Sequence, residues 1–383
     1  MKNMHVAFCL EQQYGHIIPT LGIALELLRR GHRVSYAVIE SLAPLIRQVR
    51  AHAVIIDPLD TRVEALGVIL MENDCSNYNL SDDALRRATA LSRERTARSL
   101  MQLKEVYRDS MPDVIVHDDI FDLAGRALAI EKGLAKVRLQ SQFIDHDAPE
   151  YKDNMFDNDE LILITVPKFL QRKPELFDHD RRFQFVGFIP EGRTLVFKRW
   201  EPSDRAARPI LVSATTGMTP QLKYCQTVLD AFRGQPWEVV LSLSASMDRT
   251  SDVDPSRLSD IPPNVQLNRS AGNFQILESS SLFIGQGGQG ATLEAMYWGV
   301  PQIVIPPTPY HDQVARRVSE LGLGTRLPIS ELSPERVIQE VSSLLDDKMT
   351  LQRATDAGNS MHDNNGALLA AEALESHAFG RPH

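Results

Sequence analysis

Cysteine is scarce in this 383-residue chain: Cys9, Cys75 and Cys225 stand far apart and in no C-x-x-C spacing. That excludes a disulfide framework and a cysteine-built zinc site, and it fits a reducing compartment. A dense basic cluster is also missing. Lys and Arg number 41 against 50 Asp and Glu, a net charge of −9, and pairs such as Arg29-Arg30 and Arg316-Arg317 read as solvated helix faces. A nucleic-acid partner is therefore not expected. No stretch approaches the roughly 18 apolar residues of a membrane span. The short apolar run His5 to Leu10 ends at Glu11-Gln12-Gln13 with no small-residue cleavage site, so it reads as a first strand rather than a signal peptide. A cytoplasmic protein with no membrane span is expected. Internal repeats and low-complexity tracts are absent too, and 43% hydrophobic content over this length suffices for about two full domains.

Short apolar strands alternate with amphipathic helices along the first half. The pattern predicts strand His5 to Leu10, helix Pro19 to Arg30, strands Arg33 to Val38 and Ala53 to Ile56, and a long polar helix Asp82 to Arg108. Strand Asp113 to Val116, helix Asp122 to Glu131 and strand Ala135 to Leu139 follow. The same alternation restarts at Pro209, with strands at Ile210 to Ser213, Glu238 to Leu243 and Val265 to Leu267 and helices at Pro220 to Phe232 and Asn273 to Glu278. After the segment 281–313 come helices Asp312 to Leu321, Pro334 to Leu345 and Leu351 to Met361. The reading is α/β: a first domain over 1–190, a surface linker over 191–208 with Pro, Gly and many charges, a second domain over 209–360 and a tail over 361–383 that packs back on the first domain. Two such sheets facing one another would put a ligand cleft between their carboxyl edges.

The most telling stretch runs from Ser281 to Gln313. A buried-strand pattern (Leu282, Phe283, Ile284) leads into Gly285-Gln286-Gly287-Gly288-Gln289-Gly290, four glycines in six residues, then Ala291-Thr292-Leu293-Glu294, a second apolar strand and His311-Asp312-Gln313. Glycines permit positive φ and close backbone approach, and the helix that follows offers its first N–H groups to an anion. The literal Gly-x-Gly-x-x-Gly also matches a dinucleotide turn, but no acid closes the next strand, which runs into Pro306-Pro307-Thr308; a Walker loop lacks its Gly-Lys-Ser/Thr. A tight turn without a ligand is the plain alternative, and Glu294 and Asp312-Gln313 converging on the same sheet edge argue against it.

These residues resemble the two-domain inverting nucleotide-sugar glycosyltransferases of GT-B type, in particular the macrolide and antibiotic-decorating branch of the UDP-glycosyltransferase superfamily. The resemblance is densest over 264–324 and 15–37. It implies two Rossmann-like domains facing across a cleft, with a nucleotide-sugar donor and a small-molecule acceptor as substrates and a UDP- or dTDP-linked hexose or deoxyhexose as the group moved. It also implies that Gly288, Gly290, Ala291 and Thr292 meet the diphosphate, Glu294 the ribose, and Asp312 with Gln313 the sugar, while Ser213, Thr215 and Thr216 match a second phosphate-facing loop. Two departures stand out. Gln286 occupies the place of a family histidine, and Ser270-Ala271-Gly272-Asn273 stands where a base-stacking aromatic is usual, an interaction worth about 1–3 kcal/mol per base.

The same resemblance assigns the chemistry to His16, in Tyr14-Gly15-His16 ahead of the first helix, and to Asp118 in His117-Asp118-Asp119. Moving a glycosyl group to a hydroxyl needs a base for the acceptor proton, and imidazole steadied by a carboxylate supplies one. The plain alternatives are a structural His16 and an Asp118 that caps a helix in competition with Asp119. No metal or cofactor is expected, since the four Asp-x-Asp sequences (from Asp145, Asp157, Asp178 and Asp252) lie in polar loop context. The acceptor is expected at Glu72 to Leu80 and Gln140 to Glu160, the latter acidic enough to suggest a polar or cationic molecule. A sugar-nucleotide epimerase of the same shape and a catalytically silent helper are the competing classes, and a homodimer is compatible with everything in the sequence.

Overall fold

The computed structural model describes residues 3–57, 82–118, 123–144, 157–197, 199–200, 208–213, 221–243, 258–268 and 271–380. The chain divides into two compact units, Met1–Val196 with Asn364–His383, and Phe197–Asp363.

In the first unit seven strands form one parallel sheet: β1 (His5–Cys9), β2 (Arg33–Val38), β3 (His52–Ile55), β4 (Val114–His117), β5 (Ala135–Gln140), β6 (Leu161–Ile164) and β7 (Phe183–Phe185), in the order β3-β2-β1-β4-β5-β6-β7. Helices α1 (Tyr14–Arg29), α2 (Ala43–Gln48), α3 (Asp82–Val106), α4 (Ala124–Lys132) and α5 (Glu191–Val196) connect or flank them. Strands β1, β4 and β6 are buried throughout, as near-continuous Val, Ile, Leu and Phe runs require of a parallel sheet covered on both faces. Ala7, Ile115, Leu128 and Tyr107 belong to the core on one face.

The second unit holds six strands, β8 (Ile210–Ser213), β9 (Val239–Ser242), β10 (Val265–Asn268), β11 (Leu282–Gly285), β12 (Gln302–Val304) and β13 (Gly324–Arg326), again parallel, in the order β10-β9-β8-β11-β12-β13. Its helices are α6 (Gln221–Phe232), α7 (Asn273–Leu277), α8 (Gln289–Tyr297), α9 (Pro309–Glu320), α10 (Pro334–Asp346) and α11 (Lys348–His362). Ile210, Val212, Phe232, Ile284, Ile303 and Val341 sit in a core between this sheet and α6 and α10. In both units the strand order reverses beside the first strand, the place where open α/β sheets leave a crevice at their carboxyl ends.

Several elements differ from the sequence expectation. Helix α1 starts at Tyr14 rather than Pro19, so Pro19 lies inside the helix and His16 in its first turn; the lost Pro19 N–H is offset by burial of Ile17, Ile18, Leu21 and Leu27. Glu191–Val196, within the stretch read as linker, is helical, and Gly22 of α1 lies against Ile189 and Glu191. Helix α9 starts at Pro309, with the Thr308 hydroxyl accepting the His311 N–H, which moves Asp312 into the first turn. The sequence reading placed nothing at α2, β6, β7, β13 or the last helix, α12 (Gly366–Ala378). Helix α12 belongs to the first unit. Asn365 caps its N-terminus, its residues Ala370, Ala371 and Leu374 are fully buried, and Glu375 accepts from Arg30 at 2.7 Å and from His32 Nε2 at 2.7 Å. Among the described residues no helix is long and apolar enough to cross a membrane.

Candidate active site

The register of β1 and β4 places Cys9 beside His117, so the loops leaving these two strands start side by side. One carries α1 and His16, the other Asp118. His16 Nδ1 lies 2.9 Å from Asp118 Oδ2, and the Glu11 backbone N–H donates to the same oxygen at 2.8 Å. Asp118 is 3% exposed, so both donors meet a carboxylate shielded from water, where each bond counts for more than at the surface. With Asp118 ionised, Nδ1 of His16 carries the proton that forms the bond, which makes Nε2 the basic nitrogen of the neutral ring. Glu11, also buried, accepts from Arg95 of α3 at 2.5 Å. Burial pushes the Glu11 carboxyl above its usual range, against the opposing charge and hydrogen bond of Arg95. The pair Glu11–Arg95 was invisible in the sequence, because its members are 84 residues apart and follow no spacing rule. Asp119 lies outside the described residues.

In the second unit β11 ends at Gly285 and α8 begins after Gly288, whose lack of a side chain leaves the first N–H groups of the helix without a side-chain cap. Only one of the four glycines uses positive φ. Gly287 has φ of +83°, and a Cβ there would meet the His311 carbonyl oxygen at 2.8 Å, so the glycine is demanded twice over. A Cβ on Gly290, by contrast, would meet nothing within 4 Å among the described residues. Ala291 and Thr292 continue this turn, with the Thr292 N–H returning to the Gly288 carbonyl at 3.0 Å, and Glu294 lies half-buried one turn further in. Gln286 is buried before the turn.

The contact between Gly287 and His311 brings the head of α9 to the same sheet edge. Asp312 there is engaged by two arginines: Arg316 donates to Oδ2 at 2.7 Å, and Arg326, at the end of β13, donates to Oδ1. Burial acts to raise the Asp312 carboxyl, but the hydrogen bonds and charges of Arg326 and Arg316 outweigh it and hold the group below the usual range. Gln313 is half-buried beside it. At the end of β8, Ser213 accepts from Asn273 Nδ2 at 2.9 Å, and Asn268 brackets Ala271 through 2.7 and 3.1 Å bonds. Thr215, Thr216 and Ser270 lie outside the described residues.

One α/β unit thus holds a glycine turn that opens an uncapped helix at its sheet edge, and the other a His–carboxylate pair. The C-terminal domain family described as erythromycin biosynthesis protein CIII-like matches residues 227–367. NDP-glycosyltransferase YjiC of Bacillus subtilis is 29% identical over 98% of both chains. Oleandomycin glycosyltransferase of Streptomyces antibioticus is 24% identical over 97% of this chain and 90% of its own. The glycosyltransferase of kitacinnamycin superposes at a TM-score of 0.81 over 99% of this chain and all of its own, and the calicheamicin glycosyltransferase CalG4 at 0.77 over the whole of both, each with 24% identity. The chain has the GT-B fold and is a glycosyltransferase similar to these proteins.

Within this glycosyltransferase the described acids of the expected acceptor segment are paired with cations. Asp157 accepts from Arg126 at 2.7 Å, Asp159 from Lys136 at 2.5 Å, and Glu160 is buried against His117, Arg138 and Arg126. Glu160 is thus an internal group, while Asp157 and Asp159 keep solvent-accessible side chains beside their cations. The remaining acids of that segment, Asp145, Asp147, Glu150 and Asp153, and the loop Glu72 to Leu80 lie outside the described residues. Of the other Asp-x-Asp sequences, Asp178 pairs with Lys168 and Asp180 with Arg182, while Asp252 and Asp254 lie outside the described residues. Among the described residues no three His, Cys, Asp or Glu side chains are grouped so as to hold a metal ion.

Proposed function

We propose that this glycosyltransferase moves a hexose or deoxyhexose from a UDP- or dTDP-sugar to a hydroxyl or amine of a small-molecule natural product, with inversion and without a metal. The observation that carries the reading is the 2.9 Å His16–Asp118 pair, a buried carboxylate fixing one tautomer of a histidine at the head of α1. In the proposed step His16 Nε2 takes the acceptor proton as the acceptor oxygen or nitrogen attacks the anomeric carbon. The bond from that carbon to the diphosphate oxygen breaks, and the nucleoside diphosphate leaves as an anion. Asp118 stabilises the imidazolium formed.

The uncapped first turn of α8 fits the leaving diphosphate, with the backbone N–H groups of Gly290 and Ala291 as its donors and the space over Gly290 as its seat. Glu294 suits a ribose hydroxyl and Asp312 with Gln313 suits the sugar. The relatives named for oleandomycin and demethyllactenocin, and the structure of VinC with dTDP, support a natural-product acceptor and a pyrimidine nucleotide. A panel of UDP- and dTDP-sugars crossed with hydroxyl and amine acceptors, read by mass, tests the reading. Product of glycosyl mass with an inverted anomeric centre is expected; donor epimerisation without an acceptor, or no donor affinity by calorimetry, would refute it.

A further inference from the structure

His117, the last residue of β4, is fully buried, and the reaction proposed above makes no use of it. Its ring bridges two groups. Nδ1 lies 3.0 Å from the backbone carbonyl oxygen of Asp118, and Nε2 lies 2.9 Å from Glu160 Oε1. A carbonyl oxygen only accepts, so Nδ1 carries a proton. The second contact is settled by what surrounds Glu160. Arg138 Nη2 lies 3.3 Å from Glu160 Oε2 and Arg126 Nε 3.4 Å from Oε1, and two guanidiniums at that range favour the carboxylate. A carboxylate also only accepts, so Nε2 carries a proton as well.

The elements around the ring supply few other titratable neighbours. Cys9 sits beside it on β1, Arg138 beside it on β5, Arg126 comes from α4, whose Gly125 backs onto the His117 Cβ, and Asp118 follows on the chain. No described acid other than Glu160 bonds to the ring.

We propose that His117 is a doubly protonated imidazolium that ties the Asp118 peptide to Glu160 and so acts as the positioning residue for the His16–Asp118 pair. This rests on the reading that His16 is the base. The bridge fixes residue 118 from below while the Glu11 N–H fixes its carboxylate from the side, and it places a permanent cation one residue from Asp118. The cation opposes protonation of His16 before the reaction.

The test combines ¹⁵N-histidine NMR of the full chain with kinetics of His117→Gln and Glu160→Gln. The expected spectrum shows one histidine, absent in His117→Gln, with both ring nitrogens protonated at pH 8; a neutral tautomer there would overturn the proposal. Each variant should lose about 10²-fold in kcat, the cost of a small misplacement of a reacting group, with donor KM little changed. In His117→Gln the acidic limb of the pH–rate profile should move to higher pH, because a positive charge near His16 is gone. Glu160→Gln keeps the volume of the site and serves if His117→Gln does not fold. Wild-type kcat in a folded variant, or a lower kcat with an unmoved pH limb and raised KM, would overturn the positioning role. His16→Ala is the control: retained turnover there would refute the base assignment itself, independently of what the NMR shows for His117.

Discussion

At the scale of single residues, the two sites depend on groups held by a neighbour. His16→Ala should lower kcat by about 10²–10⁴-fold, the usual worth of a positioned general base, while calorimetric donor affinity stays unchanged. Arg326 holds one oxygen of Asp312, and Arg316, mostly exposed, holds the other. Removing the better-shielded partner with Arg326→Ala should raise donor KM about tenfold, matching the loss of one charge-assisted hydrogen bond of about 1.5 kcal/mol. Equal KM values would show that Asp312 needs no such support. His311 illustrates a different dependence. Burial lowers its pKa to about 4 from an ordinary value near 6.5, with Thr308 Oγ1 2.6 Å from Nδ1. Between those values the unfolded chain binds a proton that the folded chain refuses, so stability falls as pH drops from about 6.5 to about 4, by on the order of 3 kcal/mol at the lower end. Urea midpoints at pH 7 and pH 4.5 should differ less in His311→Gln than in the wild type.

At the scale of elements, the β11–α8 turn separates what glycine does for the fold from what it does for a ligand. Gly287→Ala places a Cβ at positive φ and against the His311 carbonyl, and should destabilise by about 1–3 kcal/mol in chemical denaturation. Gly290→Ala sits in helical backbone where, among the described residues, nothing lies within 4 Å of the new Cβ, so it should leave stability unchanged or improve it by up to about 1 kcal/mol. Its cost should fall on nucleoside-diphosphate affinity, read by calorimetry; unchanged affinity would show that the diphosphate does not seat over Gly290. The turn was legible in advance because its glycines are adjacent in sequence. Its division of labour was not, since only the arrival of His311 from the next loop makes Gly287 indispensable. The start of α1 was misjudged for a related reason: a proline usually marks a first turn, but here burial of Ile17, Ile18 and Leu21 carries the helix back through His16.

At the scale of the whole molecule, the chain closes its first unit with its last helix. Residues Ala370, Ala371 and Leu374 of α12 are fully buried, Arg30 and His32 bond to Glu375, and His377 Nε2 donates to the Lys136 carbonyl at 3.1 Å. Deleting 364–383 should therefore expose α1 and β5, seen as faster hydrogen exchange at their amides, while β8, β11 and α8 keep their protection. Uniform exchange in both units would contradict this assignment. What could be read from the chain alone is whatever short-range pattern encodes: buried parallel strands as apolar runs, helices from their periodicity, the strand-to-helix turn from its glycines, and a histidine and an aspartate each following a strand. Which distant residues meet was decided by the tertiary structure. The sheet order sets His16 and Asp118, 102 positions apart, within 2.9 Å, and it pairs Asp157, Asp159 and Glu160 with cations. The physical reason is that burial makes an unpaired charge costly, so the partner of each buried group is set by the space around it.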